Sequence, residues 1–453
     1  MPPFRDEVVF VITTGSQTTR VQYGLPESLT PAQKAFPTRV YNTVNGDGKV
    51  SFSLEGAESD AIYPIRRGEI RHMEALLYLI ETCYRTTTNA QTDSPFAPIL
   101  LTCNSEWQPK QIEEIITYMF KKVHVPAITI IPEALATLYA YGLQIACVVN
   151  VGEDKTEITP IIDFNIVESA QAVVEIGGKD INIALQSLLP KLQPYQIEEL
   201  KKSPIYEVLS DKSMSFFGEP SAPATSSGDD EGVIDVAAIV ADGNAREILA
   251  QREQKKSSKQ SEQKNSEMAR NSFIDSKGQK VEVGTERFLG TEDMIERLAH
   301  EIGNVIGKLD DIARRGDCWE NIILVGGPTA IKGFVDAVLL SLQEHFLITR
   351  GTTYSELPSG LNTPGYGTPP ATPAVYGQTL GHGQVPTTIR ITKMADYFIG
   401  WKGHTWEDAP FLGSQIAAKQ IFTPGIASID GAYISREDFA ERGAREIWNL
   451  GLF

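Results

Sequence analysis

One nine-residue pattern occurs twice in this chain. Val11-Ile12-Thr13-Thr14-Gly15-Ser16-Gln17-Thr18-Thr19 and Val148-Val149-Asn150-Val151-Gly152-Glu153-Asp154-Lys155-Thr156 both read as an apolar strand, a tight turn with Gly at the same offset, a Thr, and a second strand. Two unrelated hairpins would look the same. A repeated pattern also suggests a duplicated α/β unit, in which each copy needs its own sheet and core. The flanking sequence extends both copies. Val8–Ile12 is an apolar run that predicts a buried strand, and Thr19–Tyr23 alternates as its hairpin partner. Ile99–Thr102 and Ala127–Ile131 predict further buried strands. Between them Ser105 stands three residues before Gln108, the spacing of a capping box, and Ile112, Ile115, Ile116, Met119 and Phe120 follow at helical period. A helix over Glu133–Tyr141 is closed by Gly142, where the left-handed conformation suits glycine.

After the second hairpin, Thr291 caps a predicted helix with apolar positions Met294, Ile295, Leu298, Ile302, Val305, Ile306, Leu309 and Ile312, ending before Gly316. Ile322–Val325 is a strand running into Gly326-Gly327-Pro328-Thr329, and Gly413–Phe453 holds two short helices. Two stretches break the pattern. From about 219 to 280 the chain turns to Ser, Lys, Glu and Gln, and residues 251–280 carry eight Lys or Arg against four acids. Such a run buries too little apolar surface to offset chain entropy, so most of it is expected to be disordered. Between Pro358 and Pro386 stand six Pro and six Gly in 29 residues, which marks a second flexible insertion over about 351–388. Lys255-Lys256 admits an import signal or a nucleic-acid contact, but a solvated charge run explains it as well.

The whole chain carries a net charge of −17, which repels phosphate backbones and argues against a stand-alone nucleic-acid binder. Cys83, Cys103, Cys147 and Cys318 lie far apart, so neither a zinc ribbon nor a disulfide framework is indicated. No signal peptide opens the sequence and no apolar run approaches membrane length, which points to a reducing, intracellular setting. His72, His124, His300, His345, His382 and His404 are scattered without ligand spacing, so no metal site is expected.

A Gly-Gly turn between a strand and a helix suits close approach to a phosphate or an adenine, though it is also simply a tight turn. Taken with the paired hairpins, it resembles the phosphate and adenosine loops of the actin, hexokinase and heat-shock chaperone ATPase superfold. Tyr63-Pro64-Ile65-Arg66-Arg67-Gly68, Pro98–Thr102, Ala134–Ala140 and Glu286-Arg287-Phe288 make the resemblance specific. In order and spacing the chain is similar to actin over nearly its whole length, the insertions apart, and it resembles the actin-related proteins. The opening Pro-Phe-Arg, the run Gly15–Gly24 and the insertions look most like the fungal members that serve as chromatin-remodeller subunits.

That resemblance implies an α/β, actin-like two-lobed fold with a central cleft. Lobe one would span about 1–140 plus 418–453, with a small insert at about 29–65. Lobe two would span about 141–417, with a second insert at about 177–289. The departures from actin bear on activity. Where actin carries the carboxylates that hold Mg²⁺ through its waters, this chain has Thr13 and Asn150. Glu153-Asp154 replaces Asp-Gly, and Glu133 replaces the water-orienting glutamine. Lys202 replaces a ribose-binding acid, and Ile331 replaces an aromatic that packs on adenine. Gly15, Ser16, Gly152, Thr156, Gly178, Gly326 and Gly327 are kept, but they build hairpins with or without a nucleotide. Ser16 is explained by its turn and has no neighbouring base. The expectation is a degenerate ATP pocket with no cofactor, no catalysis and no metal.

The family role implied is structural and nuclear. Such proteins pair with a second actin-related protein and bind the helicase-SANT-associated helix of a remodeller's ATPase subunit, and so reach chromatin indirectly. The groove matching actin's would be lined by Tyr139, Gly142, Leu143, Ile416, Gln420 and Tyr433, with an altered rim from Thr423 to Gly431. A switch-like slow ATPase using Glu133, Glu153 and Asp154 is the alternative. A small-molecule kinase ranks behind it, because the cleft hairpin offers no catalytic Asp.

Overall fold

Both glycine hairpins form, and each sits inside its own sheet. The structure, a computed structural model, describes residues 4–44, 50–88, 97–209, 264–347, 386–395, 397–401, 406–423 and 431–451. Phe10–Thr14 pairs antiparallel with Thr18–Tyr23, with Thr14 opposite Thr19. On its other side Phe10–Thr14 runs parallel to Ile99–Cys103, which in turn runs parallel to Ala127–Pro132. Lys34–Pro37 and Ile434–Ser435 close the two edges of this sheet. The second copy repeats the arrangement. Ala146–Val151 pairs antiparallel with Thr156–Ile162, with Val151 opposite Thr156, and runs parallel to Ile322–Val325. A hairpin whose first strand takes a distant parallel partner, found twice, is the duplicated unit that the sequence pattern suggests.

The three parallel strands of the first sheet are buried on both faces, which is why they read as near-continuous apolar runs rather than alternating ones. Phe10, Ile12, Ile99 and Leu101 pack into one core with helix Met73–Thr88 and helix Pro109–Tyr118. Val9, Val11, Leu100 and Ile131 face the opposite core, built with helix Glu133–Tyr141 and helix Ala409–Phe422. Gly142 ends helix Glu133–Tyr141 at φ 64°, as the sequence predicts. The crossing of those two helices depends on Gly413. A Cβ there would lie 1.6 Å from the Ala136 carbonyl oxygen, so no other residue allows this approach.

The chain divides into two compact units, Met1–Ile183 with Thr291–Phe453, and Ala184–Gly290. In the second unit, helix Pro194–Lys202 accompanies the hairpin Asn271–Ile274 with Lys280–Val283. Leu200, Ile205, Phe273, Val281 and Val283 form its core. The Glu286-Arg287-Phe288 motif is structural here. Arg287 is fully buried, and its guanidinium donates to the Asn265 carbonyl at 2.7 Å, to Asn265 Oδ1 at 3.0 Å, and to the carbonyls of Gly284 and Met268.

Three expectations need correction. The predicted disordered run reaches too far, because Lys264–Lys280 is folded: Arg287 anchors its start, and Asp275 accepts from the backbone of Lys277 and Gln279 across the hairpin turn. The remainder of that run, with Lys255-Lys256, lies outside the described residues, as do almost all of 351–388 and most of the Thr423–Gly431 rim. Ser105 does not cap the following helix. Gln108 does, closing a capping box with Gln111, with Pro109 at the first helical position. The helix predicted from Met294 through Ile312 is two, Glu292–Gly307 and Ile312–Glu320, because Asp311 accepts from the backbone N–H of Ala313 and Arg314 and starts a new one.

Gly413→Ala is expected to lower stability by about 1–3 kcal/mol through overpacking, despite alanine's better helix propensity. Gly307→Ala, where a Cβ meets nothing within 4 Å, is expected to gain up to about 1 kcal/mol. Thermal denaturation of the two variants checks both.

Candidate functional site

The two hairpin turns are built alike. The N–H of Gly15 donates to the Thr18 carbonyl at 3.0 Å, and the N–H of Gly152 donates to the Lys155 carbonyl at 2.9 Å. Any Cβ at Gly152 would sit 2.8 Å from that carbonyl oxygen. The turns also meet, since Gln17 Nε2 donates to Glu153 Oε2 at 2.5 Å. The second turn is seated from behind. Gly178 and Lys179, at the start of helix Gly178–Leu188, donate their N–H groups to the carbonyls of Gly152 and Glu153 at 2.9 and 2.8 Å. These helix-terminal donors, which in an anion site would face a phosphate, are bonded to the chain's own backbone.

A buried charge cluster ties the second hairpin to the residues that follow strand Ile99–Cys103. Lys155 is buried, and its ammonium lies 2.8 Å from Glu157 Oε1 and 3.3 Å from Asn104 Oδ1. Glu157 also accepts from Asn104 Nδ2 at 2.5 Å and from Ser105 Oγ at 2.9 Å. This is the role of Ser105 in the folded chain. Above the ammonium sits the turn of the Tyr63–Gly68 motif. Arg67 and Gly68 have φ of 56° and 75°, the pattern of a type I′ hairpin turn. A Cβ on Gly68 would lie 2.6 Å from Lys155 Nζ. Ser16 Oγ accepts from the Gly68 N–H at 3.3 Å, Trp107 Nε1 donates to the Gly68 carbonyl at 3.1 Å, and Arg67 pairs with Glu175. Lys155, Glu157, Asn104, Ser16 and Gly68 thus form one connected set bridging the two hairpins.

A cavity of about 40 Å³ is lined by Thr13, Thr14, Gly15, Arg20, Thr102, Glu133, Glu407, Pro410 and Phe411. That is room for water, far below the roughly 300–1,000 Å³ of a small-molecule site. Thr13 and Glu133 therefore share a cavity. Removal from water, reinforced by the charge of Glu157, pushes the Glu133 carboxyl up to about 7; Arg20, Asn150 and Lys155 act against the rise. Arg20 is itself committed to Glu407 and Asp408, at 2.8 Å each.

The remaining residues singled out in the sequence fall in separate places. Gly326, at φ 103°, lies against the end of the second hairpin, where a Cβ would stand 2.1 Å from the Val151 carbonyl oxygen. Gly327 opens the short helical turn Gly327–Ala330, and Ile331 after it is buried. Lys202 ends helix Pro194–Lys202 in the other compact unit, with an exposed ammonium 3.1 Å from Glu198. Of the six groove residues, Tyr139, Gly142 and Leu143 lie at the end of helix Glu133–Tyr141, Ile416 and Gln420 in helix Ala409–Phe422, and Tyr433 just before strand Ile434–Ser435. Tyr139, Leu143, Ile416 and Tyr433 each pack half-buried on the same core, Gln420 is half-buried, and Gly142 is exposed. Sequence reasoning missed two aromatics here: Phe164 stacks on Tyr139 at 5.5 Å, and Phe4 meets Tyr433 edge-on at 6.0 Å. It missed Lys155 and Glu157 as well. A charged pair two residues apart on what reads as a buried strand was the available signal.

Comparison with known proteins agrees with this architecture. The actin family profile matches residues 5–355. The chain is 27% identical to the SWI/SNF and RSC complexes subunit arp9 of Schizosaccharomyces pombe, with 99% of each protein covered. Over shorter stretches it is 25% identical to actin-related protein 7 of Arabidopsis thaliana (41% of this chain, 50% of the relative). It is likewise 25% identical to actin-like protein 8 of Homo sapiens (32% and 38%).

The Glu133 carboxyl binds its proton more tightly folded, at about 7, than at its ordinary 4.5. Stability is therefore lost as pH rises through 7. Glu133→Gln is expected to raise the unfolding free energy at pH 8 by on the order of 2 kcal/mol and to change it little near pH 4. Denaturation across that range checks the sign.

Proposed function

The chain belongs to the actin family, and on that premise we propose that it is a non-catalytic, nuclear subunit of an ATP-dependent chromatin-remodelling complex. It pairs with a second actin-related protein and seats the helicase-SANT-associated helix of the remodeller's ATPase subunit. The remodeller assignment is supported by full-length similarity to a SWI/SNF and RSC subunit. The observation that carries the non-catalytic reading is the buried Lys155–Glu157 pair. Glu157 stands opposite Asn150 across the second hairpin, so the chain's own charges are held next to a position where actin has a carboxylate. A metal–triphosphate would face Glu133, Glu153 and Asp154 without a ligand set for Mg²⁺.

Binding a helix needs a half-covered apolar face, and Tyr139, Leu143, Ile416 and Tyr433 supply one, flanked by Phe164 and Phe4. The net charge of −17 favours a basic helical partner and speeds its approach. A rival reading, a slow ATPase, draws on Glu133, whose carboxyl at about 7 suits a general base.

Capture of the remodeller's helical segment by the full chain, together with its partner actin-related protein, tests the proposal. Tyr139→Ala and Gln420→Arg are expected to weaken capture at least about tenfold, the effect of losing an anchor contact. Capture indifferent to both substitutions would overturn the groove assignment. ATP turnover that disappears in Glu133→Ala would instead establish the slow ATPase.

A further inference from the structure

The fold brings together two histidines that the sequence leaves 45 positions apart, and it sets a carboxylate beside them. Glu296 and His300 stand at i and i+4 on helix Glu292–Gly307, so they share a face. His345 lies near the end of the neighbouring helix Phe334–Phe346, and its ring centroid is 4.4 Å from that of His300. One ligand atom from each of the three residues lies within 4.8 Å of the other two. All three are exposed, and among the described residues none of these ligand atoms carries a hydrogen bond or ion pair. The backbone beneath them is fixed. Phe346 lays its ring over Gly303, where a Cβ would be 2.1 Å from Phe346 Cζ, and it also packs on Trp319 at 5.2 Å.

We propose that Glu296, His300 and His345 bind a divalent first-row transition-metal ion, with zinc the best match. Two imidazoles and one carboxylate are the donor set of an open zinc site, in which water takes the fourth position. Bond lengths of about 2.0–2.1 Å place tetrahedral ligands about 3.3 Å apart. Rotation of exposed, unengaged side chains closes the separation from 4.8 Å. The ion would tie the end of one helix to the middle of the next and relieve two imidazoles of facing each other. Since no outer hydrogen bond orients either ring, the site would be exchangeable rather than a closed structural centre. It is independent of the cleft and of any partner helix.

Titration calorimetry of Zn²⁺ into the metal-free full chain tests this, with Cu²⁺ electron paramagnetic resonance as a second readout. The expected results are a single-site isotherm, a copper spectrum showing two nitrogen ligands, and a zinc-dependent rise in melting temperature. His300→Ala and His345→Ala should each weaken zinc binding at least about tenfold, and Glu296→Gln should weaken it less. Because the three residues are exposed, melting of the variants in chelator should match the wild type, which separates lost ligands from lost folding. An isotherm unchanged in the double histidine variant, or no zinc binding by the wild type, would overturn the site and leave an imidazole pair only.

Discussion

The pairing of Lys155 with Glu157 is the interaction on which the centre of this protein depends. A lysine and a glutamate held 2.8 Å apart with little access to water each lose several kcal/mol of hydration. The pair persists because every remaining partner is supplied. Asn104 accepts from the lysine and donates to the glutamate, Ser105 donates to the glutamate, and Gly68 leaves room for the ammonium by having no side chain. Replacing such a pair by apolar residues can be neutral, but removing one member leaves a buried charge uncompensated. Loss of Lys155 would remove a positive charge that acts against the raised proton affinity of Glu133, to which the Glu157 charge already contributes.

That constraint ties the second hairpin to the first sheet through Asn104 and Ser105. In a nucleotide-binding member of the superfold, the triphosphate and its metal lie between these turns. Here Gln17 reaches Glu153, the N–H groups of Gly178 and Lys179 are bonded to the second turn, and Ser16 receives the N–H of Gly68. The retained glycines keep their steric purpose. Gly326 admits the Val151 carbonyl and Gly152 admits that of Lys155, and neither contact needs a ligand. The same backbone that elsewhere cradles phosphate is used here to hold the chain to itself.

How much of this was legible in the sequence follows from the range of each interaction. The hairpins, the strand Ile322–Val325 and the glycine stop at Gly142 are set by local periodicity and backbone conformation, and the structure has them where the pattern puts them. Ser105 was misread because its hydroxyl serves Glu157, 52 positions away, rather than the neighbouring helix. Asp311 splits a helix whose apolar period continues through it, since an aspartate cap outweighs periodicity at that point. The folding of Lys264–Lys280 is decided by the buried Arg287 guanidinium, which composition does not reveal. The meeting of His300 and His345 depends on Phe346 seating over Gly303. The residues of the candidate pocket were legible one by one, but the buried Lys155–Glu157 pair of the second hairpin was not, because its partners Asn104 and Ser105 are about 50 positions away.

The proposed non-catalytic role requires a pocket that takes no Mg-ATP, with Thr13 and Asn150 standing where actin has carboxylates. Calorimetry of the purified chain with ATP and Mg²⁺ tests it most directly, with the melting temperature followed in parallel. No saturable heat and no shift at millimolar nucleotide are expected. A saturable isotherm with stabilisation, about 2.7 kcal/mol at a hundredfold excess over the dissociation constant, would contradict it.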